Sequence, residues 1–370
     1  MAIDPATPDA TGTGTGVIRP AGGDFSVAAG SGGPPAAGIG PYRLGFRRLR
    51  RNKVALAFGA LFAIIVILCF CAPLYAKYVA HTGPNDNHIT EKVDGRDVVG
   101  LTGLPIGPTW HGKFLLGADQ NGRDLAVRLL YGGRNSLEVG FIATLITMVL
   151  ATIAGLAAGY YRGVVDGVLA RILDLIWAFP VVLLGIALGT ALALGGISIG
   201  PIHMSGNSLF VPAVIIGIVY IPYVAKPIRG QVLGLREKEF VDAARVQGAS
   251  SFRIMTREIL PNITSTLIVF LPLMVANAIL LEAALSYLGA GIQPPNASWG
   301  TMISDGIRLI PSAIHLTFVP GLMLVLAVLG INVFGDGVRD ALDPRARVKI
   351  TDKANPDKVR DDPMEVMVEH

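Results

Sequence analysis

The sequence predicts an all-α, polytopic membrane protein with six transmembrane helices and one amphipathic cytoplasmic loop. Three observations predict it. Of 370 residues, 52% are hydrophobic and only 16% charged, where a soluble domain carries about a quarter charged residues. The apolar residues gather in uncharged runs of 20 to 51 residues, and a helix needs about 20 to cross the hydrocarbon core. These runs are unbroken, whereas the strands of a membrane barrel alternate and are about half as long. The same composition excludes wholesale disorder. A soluble protein can bury one such run in its core, but not five. Forty-five glycines suit packed transmembrane helices. The two cysteines, Cys69 and Cys71, lie inside an apolar run and make no disulfide framework.

Taken in order, residues 1–40 are rich in Gly, Ala, Pro and Thr and read as a disordered cytoplasmic tail, not a signal peptide. Their Gly12-Thr13-Gly14-Thr15-Gly16 has no strand before it and no helix after it, so it is no dinucleotide fingerprint. Residues 41–53 form a basic juxtamembrane segment. It reads as a short helix on the inner leaflet or as a stop-transfer cluster, and the two are compatible. The first span is 54–75, within the uncharged run Val54 to Tyr75. A long extracytoplasmic loop covers 76–137. The transmembrane core covers 138–347, with spans at 138–161, 168–195, 209–227, 262–285 and 314–335. The run Leu175 to Ala225 holds two of these, divided by the polar break His203-Met204-Ser205-Gly206-Asn207-Ser208. Residues 348–370 form a polar cytoplasmic tail.

Lys and Arg set the orientation. With the N-terminus inside, the inner segments carry 19 of them and the outer segments 8, seven of those in the long 76–137 loop. Both termini are therefore predicted cytoplasmic. The net charge of +4 is small, and nothing points to nucleic acid.

Covalent chemistry has no visible apparatus. The sequence lacks a phosphate-binding Gly-x-x-x-x-Gly-Lys-[Ser/Thr] loop and a Gly-x-Ser-x-Gly elbow. Histidines 81, 88, 111, 203, 315 and 370 make no His-x-x-x-His pair, and Cys69-x-Cys71 has the wrong spacing for zinc. These cysteines read as small apolar fillers. No cofactor or metal is expected on this chain. If it moves a solute uphill, the energy comes from an ion gradient or a partner.

The inner loop 236–261 is the informative one. Glu237 and Glu239 open a helical segment, where carboxylates suit the dipole. Phe240, Val241 and Ala244 share a face at helical spacing. Gly248 closes the segment as a positive-φ residue would. Ser250 or Ser251 caps a second short helix to Leu260, and Pro261 marks the start of the next span. Ala243 and Ala244 give this knob a small-residue surface that another protein can approach closely.

Asp242-Ala243-Ala244-x-x-x-Gly248, followed by Ile259-Leu260-Pro261, resembles the EAA loop of ABC importer membrane subunits. Asp242 stands where the family usually has Glu, and Glu258 where the broader consensus has isoleucine. Leu116-Gly117-Ala118-Asp119-Gln120-Asn121-Gly122-Arg123-Asp124 resembles the segment before the second span of dipeptide/oligopeptide permease C subunits. Leu281-Glu282-Ala283-Ala284-Leu285-Ser286-Tyr287-Leu288-Gly289, Gln293-Pro294-Pro295-x-x-x-Trp299-Gly300 and the stretch from Asn332 through Gly335-Asp336 to Asp343-Pro344-Arg345 resemble its later signatures. The resemblance runs over about 42–347.

The resemblance implies a bacterial plasma-membrane permease subunit that pairs with a second, B-type permease. It implies two cytoplasmic ABC ATPase domains that carry ATP and Mg, and an extracytoplasmic substrate-binding protein. Peptides are the implied cargo, with a nickel chelate as the alternative. Glu239, Asp242, Ala243, Ala244, Gly248 and Pro261 would couple to the ATPase. Asn277, Glu282 and Asn332 are candidates for the pathway or gate. Asn277 and Asn332 can also bond between helices. Glu282 can instead sit at the wet outer interface. Asp174 is expected to pair with Arg171 one turn earlier. Pro180, Pro212, Pro222, Pro272 and Pro320 interrupt spans. A secondary transporter would need midplane carboxylates and broken helices, and a membrane enzyme a convergent nucleophile or metal set.

Overall fold

The structure is a computed structural model and describes residues 41–195, 197–199, 202–204, 206 and 208–342. The tails 1–40 and 348–370, Ser205 and Asn207 of the polar break, and Asp343-Pro344-Arg345 of the last signature lie outside the described residues.

Helix α1 (Pro41–Leu49) leads into α2 (Lys53–Phe70). Asn52 divides them, accepting the Ala55 N–H at 3.1 Å as an N-cap does. After Cys71 come α3 (Ala72–Tyr75) and a π turn, Ala76–Ala80. The outer segment that follows is folded, not a bare loop. A hairpin of β1 (Lys92–Val93) and β2 (Arg96–Asp97) sits beside a small core of Val98, Phe114 and Ala118.

Helix α4 (Leu125–Tyr161) is 37 residues long, about 55 Å at 1.5 Å per residue. Its N-cap, Asp124, accepts from Val127 N at 3.0 Å. The second span therefore starts thirteen residues before the expected 138, because the cap and not the last charge sets where a helix begins. Next are α5 (Gly163–Trp177) and α6 (Val181–Gly195), then a hairpin of β3 (Ile197–Ile199) and β4 (Ile202–Met204) at the polar break. Helices α7 (Phe210–Val219) and α8 (Ile221–Leu235) follow. The inner loop carries α9 (Glu239–Val246). Helix α10 (Ser251–Arg253) runs through a π turn, Ile254–Ile259, into α11 (Leu260–Tyr287), making one helix from Ser251 to Tyr287. The chain closes with α12 (Trp299–Gly306), a 3-10 turn and α13 (His315–Leu342).

Among the described residues, four helices are long and apolar enough to cross a membrane: Lys53–Phe70, Leu125–Tyr161, Ser251–Tyr287 and His315–Leu342. The α5/α6 and α7/α8 pairs bring the number to six if each pair is one span. The interruptions expected at Pro180 and Pro222 fall at the breaks of these two pairs. The first bends by 88° at the break 178–180, which holds Pro180, and the second by 40° just before Pro222. Proline cannot donate the hydrogen bond that would carry a helix across such a junction. Pro212, Pro272 and Pro320 sit inside uninterrupted helices, where neighbouring helices tolerate them.

Helix α4 is the spine. It lies along α8 through glycines: a Cβ on Gly155 would meet Ile228, and one on Gly159 would meet Val232, each at 2.7 Å. Small residues let two backbones pack this closely where lipid supplies no hydrophobic drive. Helix α1 packs against the end of α13, where a Cβ on Gly45 would lie 3.0 Å from Leu342.

Candidate functional site: an exposed knob and a buried polar cluster

The knob is built on the inner end of α4. Val241 is fully buried in one cluster with Tyr160, Leu173, Val232, Ile254 and Ile259. Ala244 packs on that cluster. Phe240 does not share this face as expected; it is exposed, because position 240 points away once Val241 is seated. Glu239 opens α9, but Glu237 lies before it, and its partner is Arg162. The Arg162 guanidinium holds the Glu237 carboxyl below the usual carboxylate range. Arg236 donates to the Tyr160 carbonyl at 2.5 Å, and Arg245, paired with Asp242 at 2.8 Å, lies over the Tyr160 ring.

Gly248 has φ +78° and nothing within 4 Å of a Cβ. Its constraint is backbone handedness, not space. Its N–H reaches Arg245 O at 2.9 Å and the next N–H reaches Ala244 O at 3.0 Å, closing α9. Ser250 caps α10, accepting from Arg253 N at 3.4 Å. The expected second short helix is therefore not separate. It is the first turn of the long helix to Tyr287, and Pro261 lies at the start of α11 within it. One continuous helix thus runs from the knob to the Glu282 end of the bundle.

The knob also shows what the sequence reading missed. Phe240 is 38% exposed, Val246 87% and Phe252 73%, next to exposed Ala243. Apolar residues off the Val241/Ala244 stripe were the available signal.

At the other end of the rod, Glu282 is wholly buried, so the wet-interface alternative is corrected. Ser286 donates to it at 2.6 Å and accepts the Ile292 N–H at 2.9 Å. The Ser136 and Ser298 hydroxyls flank the same carboxyl. Ser136 accepts the Trp299 N–H at 3.3 Å, and the Trp299 indole N–H reaches Leu129 O at 3.2 Å. Glu282 thus ties α4, α11 and α12 together. Trp299 fills the space that Gly133 leaves, where a Cβ would lie 2.6 Å from the indole and 2.5 Å from Cys69 Sγ. Cys69 is packing material there. Asn277 and Asn332 are half-buried, and among the described residues neither side chain hydrogen-bonds another helix; Tyr220 reaches the Asn277 carbonyl instead, at 3.3 Å. The structure therefore does not bring Asn277, Glu282 and Asn332 together as one polar site. Asp174 pairs with Lys226 at 2.6 Å, not with Arg171, and Asp166 pairs with Arg229 at 2.5 Å. These pairs fasten α5 to α8.

A helical bundle with four to six apolar candidate spans and an exposed knob at one end has the architecture of a membrane permease subunit. The comparisons make this specific. The chain belongs to the family described as binding-protein-dependent transport system inner membrane component, whose model matches residues 135–348. A second model, the N-terminal TM domain of oligopeptide transport permease C, matches residues 40–89. The chain is the multi-pass inner-membrane permease of an ABC importer.

It is 38% identical over 317 residues to a putative peptide transport system permease protein of Brucella suis, covering 85% of this chain and 96% of that one. It is 36% identical to the dipeptide transport system permease protein DppC of Alkalihalophilus pseudofirmus, covering 84% and 91%. It is 33% identical to the glutathione transport system permease protein GsiD of Pectobacterium atrosepticum, covering 83% and 92%. Among solved structures, a chain of the MetNI methionine ABC transporter matches with TM-score 0.45 and 17% identity, covering 58% of this chain and 96% of that one.

Proposed function

We propose that this chain is the C-type permease of an ATP-driven importer of di- and oligopeptides. It pairs with a B-type permease, and the pathway runs between the two. Both termini face the cytoplasm. Two ATPase domains dock there and hold the ATP and Mg2+, while this chain carries out no hydrolysis. An extracytoplasmic binding protein delivers the peptide. The observation that carries the reading is the knob: α9 is pinned to α4 on one side and offers Ala243, Phe240, Val246 and Phe252 on the other. Exposed apolar groups amid charges mark a protein-binding surface. Glu239, Asp242, Ala243, Ala244, Gly248 and Pro261 form or position that coupling surface. Glu282 acts at the outer gate by holding α12 to the spans, with Asn277 and Asn332 candidates for the pathway. ATP binding moves the knob, and the spans follow because the two conformations differ in the contacts they make.

The test is peptide uptake into vesicles holding the purified complex. Uptake should need ATP, copurify with ATPase subunits and survive a protonophore. Uptake abolished by the protonophore with ATP present would overturn the reading in favour of an ion gradient.

A further inference from the structure

Helix α2 does not simply end where the first span ends. Through Cys71 it runs on into α3 and the π turn Ala76–Ala80. Ile64, Ile67, Cys71, Leu74 and Tyr78 follow one another by three or four residues, so they share one face. Four of these five are exposed, and Cys71 is half-buried. The opposite face is alanine: Ala72, Ala76 and Ala80 are buried, and the last two pack on Val127 at the start of α4. The lipid-facing stripe of the first span thus continues past the uncharged run to Tyr78. Tyr78 lies 25 residues beyond Lys53, about 37 Å along a helix. The hydrocarbon core is about 30 Å thick, and about 40–45 Å with its headgroups. Tyr78 therefore falls in the headgroup layer.

A second aromatic residue is held close to this turn. Gly112 lies against it, where a Cβ would sit 2.7 Å from Val79 O, and the Gly112 carbonyl accepts the Tyr75 hydroxyl at 3.2 Å. Two residues earlier, Trp110 is 79% exposed. The loop that carries it is closed at its base, with the Thr109 N–H and hydroxyl both on Phe114 O, at 3.3 and 2.8 Å. Trp110 has φ +62°, a conformation that bulky residues rarely adopt. Neither packing among the described residues nor backbone handedness accounts for an indole here. We infer that Trp110 and Tyr78 sit in the phospholipid headgroup layer and hold the 81–123 segment down on the membrane surface.

An indole has a large apolar body and one N–H, and a phenol has a ring and a hydroxyl. Both residues therefore gather where hydrocarbon meets headgroup. Lys77 is exposed beside Tyr78, its Nζ 5.2 Å from that ring's centroid, and supplies a cation that suits lipid phosphate. The patch is also continuous with a face already in lipid, which favours lipid over a protein as its occupant. The loop is tied to the spans as well. Asp124, the cap of α4, accepts the Phe114 N–H, so a load on the loop passes to the start of α4. This placement needs only that the chain spans a membrane, and neither its cargo nor its energy source.

The experiment uses the full chain in phospholipid vesicles and reads the fluorescence of Trp110 alone. The chain has three tryptophans, so Trp177→Phe is compared with Trp177→Phe/Trp110→Phe, and the difference belongs to Trp110. Phospholipids brominated close to the headgroup end of the acyl chains should remove most of that signal. Those brominated near the chain ends should remove less, and aqueous iodide hardly any. Iodide quenching as strong as that of free tryptophan, with no effect of brominated lipid, places the loop in water and overturns the inference. So does iodide access that is lost only when a peptide-loaded binding protein is added to the assembled importer, which gives the patch to a protein. Stronger quenching by chain-end bromines overturns it too, since the indole then lies in the hydrocarbon. None of these results touches the importer reading, which the uptake assay tests.

Discussion

The two ends of the Ser251–Tyr287 rod are built on opposite plans. At the inner end, apolar side chains are exposed and charges pair at the surface: Phe240, Val246 and Phe252 stand out, and Arg162–Glu237 and Asp242–Arg245 lie in water. At the other end, polar groups are buried among one another: Glu282 lies among three serines with one oxygen accepting from Ser286 and the other without a hydrogen-bond partner among the described residues, and Asp124 lies among backbone N–H groups. A buried polar network holds one arrangement, because any unpaired member is costly. An exposed apolar surface is incomplete until a partner covers it. The contrast separates a packed, buried part from an exposed part that, in the proposed function, a partner grips. Substitutions at the outer end should therefore cost stability, and those at the inner end should cost coupling.

The largest effect tests the outer end. Trp299 is fully buried and fills the gap between Gly133 and Cys69. Trp299→Ala leaves a cavity and removes the indole donor to Leu129 O, and should cost about 3–5 kcal/mol. Thermal unfolding of the purified protein should show it, and an unchanged Tm would break the comparison. Asp124→Ala comes next. It removes the acceptor for Phe114 N at 2.5 Å and Val127 N at 3.0 Å, uncapping α4 and loosening the outer segment. The expected loss is about 1–3 kcal/mol. Limited proteolysis should then cut the 81–123 stretch faster than in wild type.

Much of this contrast was legible in the sequence, but unevenly. Apolar runs announced the helices because lipid forbids unpaired backbone, so composition and structure are tightly linked. Gly248 was legible because handedness is a local property, and φ +78° is where the spacing places it. Which of the five prolines break a span, and by how much, was not, since Pro212, Pro272 and Pro320 sit in intact helices while Pro180 lies at an 88° bend, and the residue type alone does not distinguish them. Nor was the Glu282 cluster, whose serines come from three separate segments. Asp174 shows the same limit: local spacing suggested Arg171, while the fold supplied Lys226 from another helix.

At the inner end, Gly248→Val should separate coupling from folding. A β-branched residue is a strong outlier at positive φ, and left-handed backbone costs an ordinary residue about 1–2 kcal/mol. The turn after α9 must shift, carrying Ala243 and Phe240 away from their docking geometry. Vesicle uptake should fall to background while the chain still purifies with its spans folded. Wild-type uptake in Gly248→Val would mean the knob is only a linker.

The smallest effect belongs to Glu237→Gln. Glu237 is exposed and paired with Arg162, a surface pair of the kind that adds little. Its folded-state pKa lies below its unfolded value, so whatever the pair contributes is present above the unfolded carboxylate pKa and fades as pH falls through the folded one. Wild type and variant should therefore unfold alike at neutral pH, with any small wild-type advantage gone in acid. Because Glu237 fastens the approach to α9 and not α9 itself, uptake should also survive the change. A large loss of uptake with unchanged stability would place Glu237 on the gripped surface, extending that surface to the Arg162 side of the knob.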